Sequence, residues 1–212
     1  MTLVLAIACS DRVVVAADGR STDYDTGKPN ADVRKIYELT PNSAILVAGN
    51  GLIDDFSNYV EYMANSVRKS NHQRVSDIAK EAKGIIDRRD WAEWKDLREK
   101  SYMDALVVGY DDTEPKIYII LDNRNFQTDV VAHAMGGWDE KMRYLKANLS
   151  ADSRENTRKQ ANKVAVEMLS KAEDANPKEI GGEYAIWHIR SAGIDKLDAT
   201  DVVKLKKRYG NA

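Results

Sequence analysis

Hydrophobic and polar positions alternate between two periods along this chain, and each change of period marks an element. The chain opens on Leu3-Val4-Leu5-Ala6-Ile7-Ala8, turns at Ser10-Asp11-Arg12 and continues as Val13-Val14-Val15-Ala16-Ala17. Continuous apolar, β-branched runs of this length predict a hairpin covered on both faces. Residues 18–32 are polar and turn-rich, which predicts a long loop over the end of a sheet. A second hairpin follows over 35–39 and 44–48, with its turn at Thr40-Pro41-Asn42-Ser43 and a break at Gly49-Asn50-Gly51. The period then shifts to 3.6. Leu52, Ile53, Phe56, Tyr59, Val60, Met63, Ala64 and Val67 share one helical stripe, and Val75, Ile78, Ala79, Ala82, Ile85 and Ile86 share another. Residues 87–101 are mostly charged around Trp91 and Trp94, and read as a solvated extension of the second helix or as a contact with a neighbouring subunit.

Strand signals return over 104–110, 116–121 and 128–134. Gly136-Gly137 then leads into a short helix over 139–149. A longer helix, capped by Ser153 or a neighbour, carries Ala161, Val164, Ala165, Met168, Leu169 and Ala172 on one face. Gly181-Gly182 opens a last strand over 184–189, and residues 199–212, with Lys204, Lys206, Lys207 and Arg208, read as a peripheral tail. Strands, two helices, strands, two helices and a strand argue for one α+β layered domain over 1–212, with helix pairs covering both faces of packed sheets.

Composition narrows the function classes. The 212 residues are 43% hydrophobic and 31% charged, and Lys+Arg 32 against Asp+Glu 34 leaves a net charge of -2. That balance excludes disorder and gives no basic excess for sequence-independent binding to nucleic acid. The opening apolar run has no basic residue before it and is too short to span a bilayer, so neither a signal peptide nor a membrane anchor is expected. Cys9 is the single cysteine, which leaves no internal disulfide and points to a reducing, cytoplasmic setting.

Candidate chemistry is scarce by the common patterns. His72, His133 and His188 each lack a local metal-ligand partner, and the last two fall in predicted strands. The stretch Asp23-Tyr24-Asp25-Thr26-Gly27 is a poor calcium loop, because its third oxygen ligand and distal Glu are missing. No zinc spacing, phosphate loop or dinucleotide glycine motif is present, so no metal or cofactor is expected. What remains is the amino terminus. Removal of Met1 would put a hydroxyl and a free α-amine on the same residue, Thr2. That amine, with an ordinary pKa of about 7.7–8.0, can accept the hydroxyl proton near neutral pH. Such a pair needs a lysine to lower the amine's basicity, a carboxylate to hold the lysine, and a glycine amide for the oxyanion. Asp18, Lys35 and Gly49 sit at predicted strand ends from which all three can converge on Thr2.

These residues carry a resemblance. Thr2-Leu3-Val4, the hairpin into Val14-Val15-Ala16-Ala17-Asp18-Gly19-Arg20, Arg34-Lys35-Ile36, Val47-Ala48-Gly49 before a helix, Gly136-Gly137 before a helix and Gly181-Gly182 before a strand together resemble the proteasome β-subunit family. Because only Met1 precedes the threonine, the nearest branch is the short HslV-like bacterial one or another bacterial proteasome homologue. The resemblance implies the four-layer αββα sandwich of the N-terminal-nucleophile (Ntn) hydrolases. It implies Thr2 as nucleophile and base, Asp18 and Lys35 as the supporting ion pair, Gly49 as oxyanion donor, and Ser21, Val47 and Gly51 around the substrate side chain. It further implies a homo-oligomeric ring acting on peptides or unfolded proteins, with an ATP-dependent unfoldase as a partner. Three positions depart from the family pattern: Met135, Pro177 and Ile180 stand where active members carry serine, aspartate and serine. The loop before the lysine is also one residue longer, which makes Arg34 a competitor for Lys35. Asp174 or Glu179 would have to replace the missing polar groups. Two alternatives stay open: an inactive structural subunit, and an amidase acting on a non-peptide substrate.

Overall fold

The computed structural model describes residues 2–22, 26, 28–30, 33–50, 53–88, 102–111, 114–121, 126–127 and 130–210. Asp23, Tyr24, Asp25, Gly27, Gly51, Leu52, Trp91 and Trp94 lie outside them, as do the side chains of Ile53 and Phe56. In chain order the elements are β1 (Leu3–Ala8), β2 (Val13–Ala17), β3 (Ser21–Thr22), β4 (Pro29–Asn30), β5 (Ile36–Thr40), β6 (Ser43–Asn50), α1 (Ile53–Lys69) and α2 (Val75–Arg88). The second half has β7 (Tyr102–Asp111), β8 (Glu114–Ile120), β9 (Phe126–Gln127), β10 (Ala132–Gly136), α3 (Lys141–Asn148), α4 (Arg158–Ala175), β11 (Ala185–Arg190), β12 (Gly193–Lys196) and α5 (Ala199–Tyr209).

Two antiparallel sheets are stacked. One has the order β10-β1-β2-β11-β12 and the other β5-β6-β7-β8-β9. Side chains on a strand alternate between faces, so each apolar run feeds two cores at once. Val4, Ala6, Ala8, Val13 and Val15 meet Ala44, Leu46, Leu106 and Val108 between the sheets. Leu3, Leu5, Ile7, Val14 and Ala16 face α4, where Ala161, Ala165, Met168 and Leu169 cover them. On the outer face of the second sheet, Ile45, Val47 and Val107 pack under Val60, Met63, Ile78 and Ala82 of α1 and α2. The result is the expected α+β sandwich, with helix pairs on both outer faces.

Three local differences have physical causes. The long helix is capped by Thr157, whose side chain accepts from the Gln160 backbone N–H, while Ser153 opens a single 3₁₀ turn capped by Asp152. Residues 128–129 of the strand expected over 128–134 lie outside the described ones; within them β10 runs over Ala132–Gly136, and its pairing with β1 ends at Ile7↔Ala132. The tail, expected to be peripheral, is helical over its described part. It forms α5, which is capped by Asp198 and buries Val202 against α4, with Leu205 and Tyr209 half-buried beside it.

His188, opposite Val14 on β11, is buried and bonded at 2.9 Å to Asn162 of α4. Burial, with Arg12 and Arg158 nearby, depresses its pKa to about 4. An unfolded chain takes that proton near pH 6.5, so between pH 6.5 and 4 the unfolded state holds more protons than the native one. Stability is therefore full above pH 6.5 and falls on acidification, by on the order of 3 kcal/mol for this group alone. Urea unfolding at pH 7 and pH 4.5 should show this loss, and His188→Gln should shrink it.

Candidate active site

The candidate site lies where the amino-terminal end of β1 neighbours the carboxy-terminal end of β2 and the residue that precedes β5. Carrying the alternation of β1 back one residue puts Thr2 on the face of Val4, toward the second sheet. Its carbonyl accepts from the Gly137 N–H at 3.1 Å. This contact requires glycine next door, because Gly136 has φ +119 and a Cβ there would fall 1.6 Å from the Thr2 carbonyl oxygen. Gly136→Ala should therefore displace Thr2 and cost more than the roughly 1–3 kcal/mol of a strained backbone conformation alone, measurable by urea unfolding.

Asp18 follows β2 directly and is 1% exposed. Each of its oxygens serves two donors. Oδ1 accepts from the Leu3 N–H at 2.8 Å and from Lys35 Nζ at 2.6 Å. Oδ2 accepts from the Gly181 N–H at 3.2 Å and the Arg20 N–H at 3.3 Å. One carboxylate thus fixes the residue after Thr2, the lysine, and the loop ahead of β11. Lys35 is 5% exposed, and its Nζ also donates to the Arg20 carbonyl. Burial pushes its pKa below the ordinary lysine value, with Asp18 opposing the shift. Arg34 turns the other way: it pairs with Glu61 at 2.8 Å, donates to the Ile36 carbonyl and lies over the Tyr37 ring.

Gly49 lies near the end of β6. Pairing with β5 reaches its last rung where the Val47 N–H donates to the Lys35 carbonyl at 3.0 Å, although β6 runs on to Asn50 along β7. Backbone groups two residues apart point to the same side, so the Gly49 N–H faces the side that β5 has left. Of the expected pocket residues, Ser21 is half-buried on β3, and its Oγ has no hydrogen-bond partner among the described residues. Val47, on β6, is 1% exposed and packs in the cluster with side chains of α1 and α2.

The three departures are filled by apolar groups and by backbone. Met135, opposite Val4, is buried between the sheets, and Ile180 is buried on the α4 side. Asp174 is exposed. The Pro177 and Ile180 carbonyls instead accept from the Arg20 guanidinium, the latter at 3.2 Å. Arg20 is the residue whose part the sequence reading missed. Its only signal was its place two residues after Asp18.

The histidines are engaged elsewhere. His72 pairs with Glu81, and His133 lies opposite Ala6 in mid-strand. Among the described residues no group of three or more His, Cys, Asp or Glu is placed to hold a metal ion, and no helix is long and apolar enough to cross a membrane. A cleft of about 500 Å³ opens at the opposite end of the sandwich, by the β5–β6 and β11–β12 turns. Of its charged walls, Glu38 pairs with Lys196 and His72 with Glu81, and Arg68 donates to Asn65 and the Glu38 carbonyl.

A comparison with curated proteins gave no match. The model of the family described as "Proteasome subunit" matches residues 2–185, from Thr2 through the first residue of β11. That span holds both hairpins, Asp18, Lys35 and Gly49, and the two glycine turns. At the level of the family this is hydrolase chemistry on peptides within an oligomeric ring. A match over most of the chain, on a sandwich of this layering, establishes that the protein belongs to the proteasome subunit family.

Proposed function

We propose that this chain is a threonine-type peptidase whose nucleophile is Thr2, exposed by removal of Met1. The observation that carries the reading is the buried Lys35–Asp18 pair, whose carboxylate also holds the N–H of the residue next to Thr2. An ammonium fixed at that strand end would lower the basicity of the Thr2 amine and keep it an effective proton acceptor. Thr2 Oγ attacks the peptide carbonyl as its proton passes to the α-amine, and the Gly49 N–H receives the oxyanion. Collapse breaks the C–N bond, and the α-ammonium protonates the departing amine. Water, deprotonated by the same α-amine, then cleaves the ester and restores the hydroxyl. Ser21, Val47 and Gly51 are proposed to border the substrate side chain.

The proposed setting is a homo-oligomeric ring in the cytoplasm, supplied with unfolded chains by an ATP-dependent unfoldase. Cys9, free and buried, suits a reducing compartment. A panel of fluorogenic peptide amides, run beside native mass measurement, tests the reading. Hydrolysis by a multimer supports it. An assembled ring with no turnover and a retained Met1 favours the second reading, a structural subunit, which the buried apolar side chains of Met135 and Ile180 motivate.

A further inference from the structure

A second set of charges closes on the Asp18–Lys35 pair from the side of α4 and α5. Arg20 is tied to that pair by its own backbone: its N–H donates to Asp18 and its carbonyl accepts from Lys35. Its guanidinium holds the Pro177 and Ile180 carbonyls, which are neutral acceptors. Of these two cations only Lys35 has a carboxylate partner among the described residues, Asp18, while the Arg20 side chain bonds to neutral carbonyls. The missing negative charge lies across Gly181. Glu173 of α4 uses Oε2 to accept from Tyr184 Oη at 2.6 Å and from Lys206 Nζ of α5 at 2.9 Å. Its Oε1 faces the bare side of Gly181. A Cβ on that glycine would lie 2.8 Å from Oε1 and 3.1 Å from Arg20 Nη1. The carboxylate and the guanidinium thus stand within about 6 Å of each other, a range over which opposite charges in a part-buried site still attract. The Cβ-free residue, at φ +142, keeps that gap open.

We infer that Glu173 is a positioning residue for the Asp18–Lys35 pair, acting through Arg20 as the second counter-charge, with Lys206 and Tyr184 holding its carboxylate in place. Burial works against ionisation of Glu173, but Tyr184, Lys206 and Arg20 together outweigh it and hold its carboxyl below the usual value. Lys206 lies beyond the matched residues 2–185, so α5 adds to the site from outside the family segment. The consequence for turnover rests on the peptidase reading; the electrostatic coupling does not.

The test reads Lys35 directly, by following its ¹⁵N-labelled Nζ through a pH titration by NMR. Arg20, Tyr184 and Lys206 are the ionisable groups that act on Glu173, and Asp18 is the one that faces Lys35. Glu173→Gln keeps the shape and an acceptor for Tyr184 but removes the charge. Lys35 should then lose its proton at lower pH than in the unaltered protein, and kcat should fall about tenfold with KM unchanged. Glu173→Asp should return both part of the way. Lys206→Met is the control of opposite sign: it removes a cation while Glu173 stays charged, so the Lys35 titration should hold or rise. That control also decides the matter if Glu173→Gln does not fold. Coincident Lys35 titrations in Glu173→Gln and the unaltered protein would overturn the inference, as would a fall in Lys206→Met, which would mean that α5 merely loosens. A protein without turnover whose Lys35 titration still moves would reject the peptidase and leave the coupling intact.

Discussion

Thr2→Ala should reduce peptide hydrolysis by at least about 10⁴-fold while leaving the fold intact. The side chain is half-buried at the strand end, and no hydrogen bond of the described structure depends on its hydroxyl; the contact that fixes this residue is made by its backbone carbonyl. Removing Oγ therefore takes away the nucleophile and little else. Thr2→Ser should keep measurable activity, since the same oxygen and amine remain. Blocking the amine with a retained Met1 should be as damaging as losing the oxygen, because base and nucleophile belong to one residue. Measuring kcat/KM for these three forms separates a threonine mechanism from any route in which Thr2 is a bystander. Equal rates in Thr2→Ala and the unaltered protein would rule the mechanism out.

The second large effect is an asymmetry within the ion pair. Asp18→Ala strips Lys35 of its counter-charge inside a site where its side chain is 4% exposed, and it also orphans the Leu3 and Gly181 N–H groups. Breaking a buried pair from that side costs about 3–5 kcal/mol, a large share of a small domain's stability. Lys35→Met leaves Asp18 with three backbone donors, so its cost should be clearly smaller. Both variants should lose turnover by about 10³-fold, one through geometry and one through the missing ammonium. Urea unfolding with parallel kinetics checks the pattern. If Lys35→Met proves the more destabilising, Asp18 is not the hub of the site.

The layered fold was legible because the apolar runs of β1 and β2 are buried on both faces, which requires a covering layer on each side of the hairpin. The meeting of Asp18 with Lys35 was legible for a related reason, while Gly49 is placed only at the end of β6. Each of the two is a polar position directly at the end of such a run. Arg20 was not, since its guanidinium bonds to backbone carbonyls 157 and 160 residues away, and backbone acceptors leave no trace in residue type. Nothing in residue type sets Glu173 apart from the other charges of α4, and only the Gly181 turn brings it close to Arg20. The α5 segment hid for want of apolar content: Val202 is its one fully buried side chain, and its basic last turn dominates the pattern.

The central claim is that one residue supplies both an alcohol and an unblocked amine beside the Asp18–Lys35 pair. Its most direct test is mass spectrometry of the amino-terminal peptide after treatment with an epoxyketone-tipped peptide, which must bond to both groups to close a ring. The expected product is a chain starting at Thr2 with one inhibitor joined to that residue. A chain that still begins with Met1, or an adduct on another residue, in a preparation that hydrolyses peptides would contradict that claim.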